Sequence, residues 1–181
     1  YSGATISTGL PRNDDFFNST IDYESIKIEL GITGKKKLLI YAPTFRDHIS
    51  DNGRIGTDID ICQILNLLEK KYQCEWLCLK RSHGGTHLAL DKTKEDTRII
   101  DVSQYRDMTN LLLISDILIT DYSSCAGDFA YTGRPVLLYQ DDYEIYTSKD
   151  RSLIFDMSKT PFYVARDMGE MERIIAQLDS E

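Results

Sequence analysis

Long apolar runs are missing from this 181-residue chain: none approaches the roughly 18 residues that cross a bilayer, and no signal peptide is visible. Cysteine is sparse. Cys62, Cys74, Cys78 and Cys125 show neither zinc-ribbon nor C-x-x-C redox spacing. Cys74 and Cys78 lie four apart on a stretch that reads as a strand, so reduced core thiols are expected, as in a cytoplasmic setting. Basic residues are outnumbered, 21 against 29, for a net charge of −8. That balance argues against general nucleic-acid binding and against charge-driven anchoring to anionic lipid, but it leaves room for a local basic pocket. At 41% apolar and 28% charged, the composition is that of a folded domain. The length fits one domain, or one with a short appendage. The chain opens on Tyr1 instead of Met and reads as a fragment or a processed product.

What is present is an alternation of short apolar runs and helical stripes. Residues 37–42 form a buried run that stops at Pro43. Residues 58–72 carry Ile61, Ile64, Leu65 and Leu68 at helical spacing, with Asp58 as the expected N-cap. Residues 75–79 and 97–102 predict the second and third strands, 108–114 a helix, and 116–120 a fourth buried strand. A helix should run from Ser123 to near Gly133, followed by a strand over 135–139 and a last helix over 168–178. Apolar strands alternating with helices predict an α/β fold built on a doubly wound parallel sheet. The stretch through Phe17 has little periodicity, so residues 1–20 read as a linker and 21–181 as the domain.

In such sheets ligands bind beyond the carboxyl ends of the strands, near the reversal of strand order. The loops to inspect are therefore Pro43-Thr44-Phe45-Arg46, Arg81-Ser82-His83-Gly84 and Asp121-Tyr122-Ser123-Ser124. Ser123 or Ser124 would cap the next helix, whose free N–H groups could meet a phosphate; plain capping explains the same residues without a ligand. Arg81 and His83, two apart on extended backbone, point the same way. An arginine fork suits phosphate oxygens and a histidine can protonate a leaving phosphate, although a solvated strand end is an equal reading. His83 and His87 have a helical metal spacing, but Gly84 and Gly85 separate them and no third ligand is evident, so no metal is expected. Arg12 reads as part of a turn before a helix start. Asp128, one turn into its helix, is either a surface carboxylate or a group within reach of a sugar hydroxyl. Asp141 and Asp142 read as a solvated turn.

Five stretches taken in order, 8–14, 39–47, 81–83, 116–124 and 134–146, resemble the CDP-glycerol glycerophosphotransferase family of teichoic acid polymerases. The similarity covers nearly the whole chain. It implies that 21–181 are a Rossmann-like CDP-glycerol-binding domain, the C-terminal half of a GT-B glycosyltransferase-like fold, whose N-terminal partner domain lies outside these residues. It implies donor contacts from Arg12, Pro43, Thr44, Arg46, Arg81, Ser82, His83, Ser123, Ser124 and Asp128, with Arg81 and His83 catalytic and no cofactor. The implied reaction moves glycerol phosphate from CDP-glycerol to a lipid-linked poly(glycerol phosphate) chain and releases CMP. It takes place at the cytoplasmic face of a bacterial membrane, with this piece itself soluble.

Two departures from the family pattern touch the donor pocket: Gly84 stands where a proline is usual, and Ala126 and Gly127 where aromatics are frequent. A CDP-ribitol or other polyol-phosphate transferase is therefore an open alternative. So are a nucleotide-sugar glycosyltransferase or epimerase half and a non-catalytic nucleotide-binding module. The family's upstream histidine motif, the expected general base, is not in this chain, so the piece alone is expected to bind nucleotide without turning over. A response-regulator-like reading fits poorly, because no acidic cluster follows the first strand.

Overall fold

The computed structural model describes residues 9–17, 20–44, 59–82, 96–150 and 159–179. The expected contributions of Arg46 and His83 lie outside these residues, as does Asp58.

Six parallel strands form one sheet: β1 (Lys37–Tyr41), β2 (Trp76–Lys80), β3 (Ile99–Asp101), β4 (Ile117–Thr120), β5 (Val136–Tyr139) and β6 (Tyr163–Ala165). Their order is β3-β2-β1-β4-β5-β6, so the direction of winding reverses between β1 and β4. A helix or loop returns the chain between successive strands, as parallel pairing requires. The helices are α1 (Tyr23–Glu29), α2 (Ile61–Tyr72), α3 (Met108–Ile114), α4 (Cys125–Ala130), the single turn α5 (Tyr143–Ile145) and α6 (Met168–Gln177).

Strand residues alternate between two cores, because successive side chains leave opposite faces of a sheet. On one face Leu38, Ile40, Leu79, Leu118 and Leu138 pack with Ile26 of α1, Leu111 and Leu112 of α3, and Phe129 of α4. On the other, Leu39, Cys78, Ile119 and Leu137 meet the α2 stripe Ile61, Ile64, Leu65 and Leu68, together with Met171 and Ile175 of α6. The four central strands are largely apolar because both faces are covered.

Aspartates start several helices. Asp22, Asp60, Asp107 and Asp167 each accept amide hydrogens from the first turn, of α1, α2, α3 and α6 respectively. This places part of the acidic excess at positive helix ends. Helix α2 begins at Ile61 under Asp60, two residues later than the expected start. Its end is set by Gln73, which adopts a left-handed conformation with φ of 54°. Cys74 consequently falls in the turn before β2 and not on the strand. Gly133, with φ of 70°, ends the turn after α4 and lets the chain enter β5.

Candidate functional site

The carboxyl ends of β2, β1 and β4 lie side by side. At the usual strand spacing of ~4.8 Å, the loops after β2 and β4 stand about 10 Å apart with the β1 loop between them. Arg81-Ser82, Pro43-Thr44 and Asp121-Tyr122-Ser123-Ser124 therefore share one rim, at the winding reversal where such sheets bind ligands.

Each loop is held by polar contacts to its neighbours. The Thr120 hydroxyl donates to the Ala42 carbonyl at 2.6 Å. Asp121, 1% exposed, accepts from the Thr44 amide at 2.9 and 3.0 Å, from the Thr44 hydroxyl at 2.5 Å and from the Tyr122 amide at 2.6 Å. Gln140, equally buried, donates to the Asp121 carbonyl at 3.1 Å. Tyr122 stacks face to face on Tyr146 at 3.8 Å and 8°, and its hydroxyl donates to Asp142 at 2.9 Å. Asp142 is thus a fixed acceptor, not the solvated turn residue its sequence suggests.

Arg81 extends from the end of β2, where its amide donates to Tyr41 at 2.9 Å. Its guanidinium donates through Nη1 to the Tyr105 carbonyl at 2.6 Å, and among the described residues no carboxylate pairs with it. The Ser82 amide donates to the Ser103 hydroxyl at 2.9 Å. One side of the Arg81 fork is thereby anchored.

Arg12 behaves differently. The 3-10 helix Pro11–Phe17 brings it to Asp128 of α4 in a two-pronged ion pair, Nε to Oδ2 at 3.1 Å and Nη2 to Oδ1 at 3.2 Å. The structure thus joins two predicted site residues 116 positions apart. The Arg12 side chain is half exposed, which keeps it within reach of a ligand.

Capping of α4 departs from expectation. Ser124 lies in the αR region and makes no side-chain cap bond, while Ser123 Oγ accepts from the Cys125 amide at a long 3.4 Å. Ser124 is exposed, so its hydroxyl is not spent on the helix. Ala126 is buried in the core against the sheet, so it forms no pocket wall, whereas Gly127 is exposed with open space where a Cβ would stand. Of those two positions, only 127 borders solvent, where a larger side chain would meet a ligand.

A cavity of about 660 Å³ opens at the opposite, amino edge of the sheet between Lys37, Trp76, Asp116, Arg134 and Tyr163. Its position separates it from every loop discussed above. Arg134 there donates to the carbonyls of Leu113 and Ser115, closing the end of α3. The carboxyl rim remains the candidate site on chemical grounds, since it alone gathers the loop hydroxyls, Arg81 and the Arg12–Asp128 pair.

The thiols carry no signature of nucleophilic chemistry. Burial raises the Cys78 thiol to about 12 and also raises Cys125, and Cys62 is raised by partial burial and by its neighbour Asp96. All four cysteines are free. No group of three potential metal ligands occurs among the described residues. Among them, too, no helix is long and apolar enough to cross a membrane.

Asp121, Gln140, Tyr105 and Ser103 did not stand out in the sequence. A carboxylate directly after a buried strand must find donors at the sheet edge, and that was the signal available for Asp121.

The chain is 34% identical, over 99% of its own length, to the teichoic acid poly(glycerol phosphate) polymerase of Bacillus subtilis, of which it spans 24%. It is 35% identical, over 85% of its length, to a teichoic acid glycerol-phosphate transferase of Staphylococcus aureus, spanning 40% of that protein. A solved structure of the wall teichoic acid polymerase TagF, soaked with CDPG, superposes with a TM-score of 0.74 at 30% identity, covering 96% of this chain and 42% of that one. The fold is accordingly the Rossmann-like half of a GT-B-like glycosyltransferase architecture. The chain thus spans less than half the length of these relatives. The family model of CDP-glycerol:poly(glycerophosphate) glycerophosphotransferases matches residues 1–181, and the chain belongs to that family.

Proposed function

We propose that the carboxyl rim binds CDP-glycerol, and that the complete enzyme transfers glycerol phosphate from it to a poly(glycerol phosphate) acceptor, releasing CMP. The observation that carries this reading is Arg81, a guanidinium anchored on one side by Tyr105 and facing no carboxylate among the described residues, two strands from an exposed serine loop.

Diphosphate oxygens would bridge Arg81 and the Ser123–Ser124 loop, with Arg12 and Asp128 at the outer edge and Pro43, Thr44, Arg46 and Ser82 completing the contacts. Attack by an acceptor hydroxyl on the β-phosphorus breaks the bond to the bridging oxygen, and negative charge collects on the departing CMP. Arg81 stabilises that charge by preorganised electrostatics. His83 supplies a proton to the leaving phosphate. The attacking hydroxyl's proton is taken by a base outside these 181 residues, so the chain alone binds donor without releasing CMP. The segment Pro11–Phe17 delivers Arg12 to the rim. The parent enzyme works at the cytoplasmic face of the membrane, where its lipid-linked acceptor resides.

Each charge-assisted hydrogen bond contributes about 1.5–3 kcal/mol, so three or four give about 5–12. Association itself costs about 4 kcal/mol or more. Binding by this half should fall on the order of millimolar to tens of micromolar. Calorimetric titration with CDP-glycerol, CDP-ribitol and a UDP-sugar tests the reading. The expected result is preference for CDP-glycerol, and stronger binding of the UDP-sugar would overturn it. Ribitol-phosphate polymerases are also among the relatives, at 27–32% identity, which is why the ribitol donor belongs in that comparison.

A further inference from the structure

We infer that Tyr105, in the turn after β3, is a positioning residue that holds the Arg81 guanidinium in place before a phosphate arrives; this rests on the donor-site reading above. Residues 102–105 form a tight turn closed by the Tyr105 amide, which donates to the Val102 carbonyl at 2.9 Å. Bonds from that turn reach the end of β2 at successive residues. The Val102 amide donates to the Lys80 carbonyl at 2.9 Å. The Ser82 amide donates to the Ser103 hydroxyl at 2.9 Å, and Arg81 Nη1 donates to the Tyr105 carbonyl at 2.6 Å. The first of these continues the sheet ladder, whereas the other two require a hydroxyl at 103 and an arginine at 81.

The strand that leads into the turn gives it little support. β3 is a three-residue edge strand whose side chains are half-buried or exposed. Tyr105 supplies the hold. Its ring packs against the core on the α1 and α3 side of the sheet, and its hydroxyl donates to Glu29 Oε2 of α1 at 3.1 Å. The carbonyl that Arg81 meets belongs to the same residue, so fixing the ring fixes the acceptor. An arginine gives up much rotamer freedom when it is immobilised, and that loss weakens binding if it falls on association. A guanidinium already held along one edge has less freedom to lose. A carbonyl orients the fork without cancelling its charge, as a carboxylate would.

The test compares the wild-type chain with Tyr105→Ala, Tyr105→Leu and Tyr105→Phe, with thermal melts for the folded fraction. NMR relaxation of the Arg81 Nε–Hε group reads its order in the free protein. Titrations with CDP, and with cytidine, which carries no phosphate, read affinity. Arg81 should be ordered in wild type and mobile in Tyr105→Ala. That variant should lose about threefold to tenfold in CDP affinity, the effect of one more side chain immobilised on binding, with cytidine affinity within about twofold of wild type. Tyr105→Phe keeps the ring packing and should restore both the order of Arg81 and the affinity for CDP. On an Arg81→Ala background, Tyr105→Ala should weaken CDP binding no further. Equal Arg81 order in wild type and folded Tyr105→Ala, equal losses for CDP and cytidine, or losses that add to those of Arg81→Ala overturn the positioning role and leave the donor site standing. Should Tyr105→Ala not fold, wild-type order of Arg81 in Tyr105→Leu overturns it instead. A folded wild-type chain that binds no CDP overturns the donor-site reading, whatever the order of Arg81.

Discussion

Replacing Arg81 separates its two contacts. In the free protein the guanidinium satisfies the Tyr105 carbonyl at 2.6 Å, and removing that donor should cost about 1 kcal/mol of stability. In the proposed complex the same side chain would meet phosphate. A charge-assisted bond worth about 1.5–3 kcal/mol corresponds to a loss of about 10- to 150-fold in affinity. Arg81→Lys keeps the charge but cannot hold Tyr105 and phosphate with one planar fork, so it should recover only part of the loss. Calorimetry with CDP reads the affinity and a urea melt reads the stability. Arg81→Ala with lowered stability but unchanged affinity for CDP would refute the phosphate role and reduce Arg81 to a brace for the loop after β3.

Three further outcomes follow from the geometry. Gly127 is exposed within α4, and a methyl group at its Cβ position would have nothing within 4 Å, so Gly127→Ala should raise stability by about 0.5–1 kcal/mol in a urea melt. Phe129 is fully buried and fastens that short helix to the sheet, so Phe129→Ala should cost about 3–5 kcal/mol. Asp96 is lowered to about 2, chiefly by its side-chain bonds to Arg98, which also reaches Glu69 at 2.8 Å. A depressed carboxyl stabilises the fold above its unfolded value near 3.8 and loses that contribution as pH falls toward 2. Melts across that window should show about 1–2 kcal/mol less acid destabilisation in Asp96→Asn than in wild type.

The sequence was legible where its signals are local. The strands over 37–41, 76–80, 117–120 and 136–139 could be read because both faces are buried and the residues are mostly apolar. Helix α1 could not, because Ile28 is 72% exposed and breaks the stripe that Ile26 would begin. Strand β6 is a three-residue edge with one buried side chain, too short for any period. The three loops of the rim were identified from their place after strands, but the bonds that tie Asp121 to Thr44 and Arg12 to Asp128 span 77 and 116 residues. Spacing holds no information about contacts made across the sheet. Within the aperiodic stretch through Phe17, Pro11–Phe17 form a 3-10 helix with Asn13 buried and Phe16 packed against the core.

Donor binding at the carboxyl edge of the sheet is the central claim. Amide chemical shifts followed during a CDP-glycerol titration test it most directly, and the single tryptophan, Trp76, reports on the opposite edge. Shifts are expected at Thr44, Ser82, Tyr122 and Ser124 with the Trp76 indole signal unmoved. Shifts centred on Trp76, Lys37 and Arg134, with the rim unchanged, would contradict it.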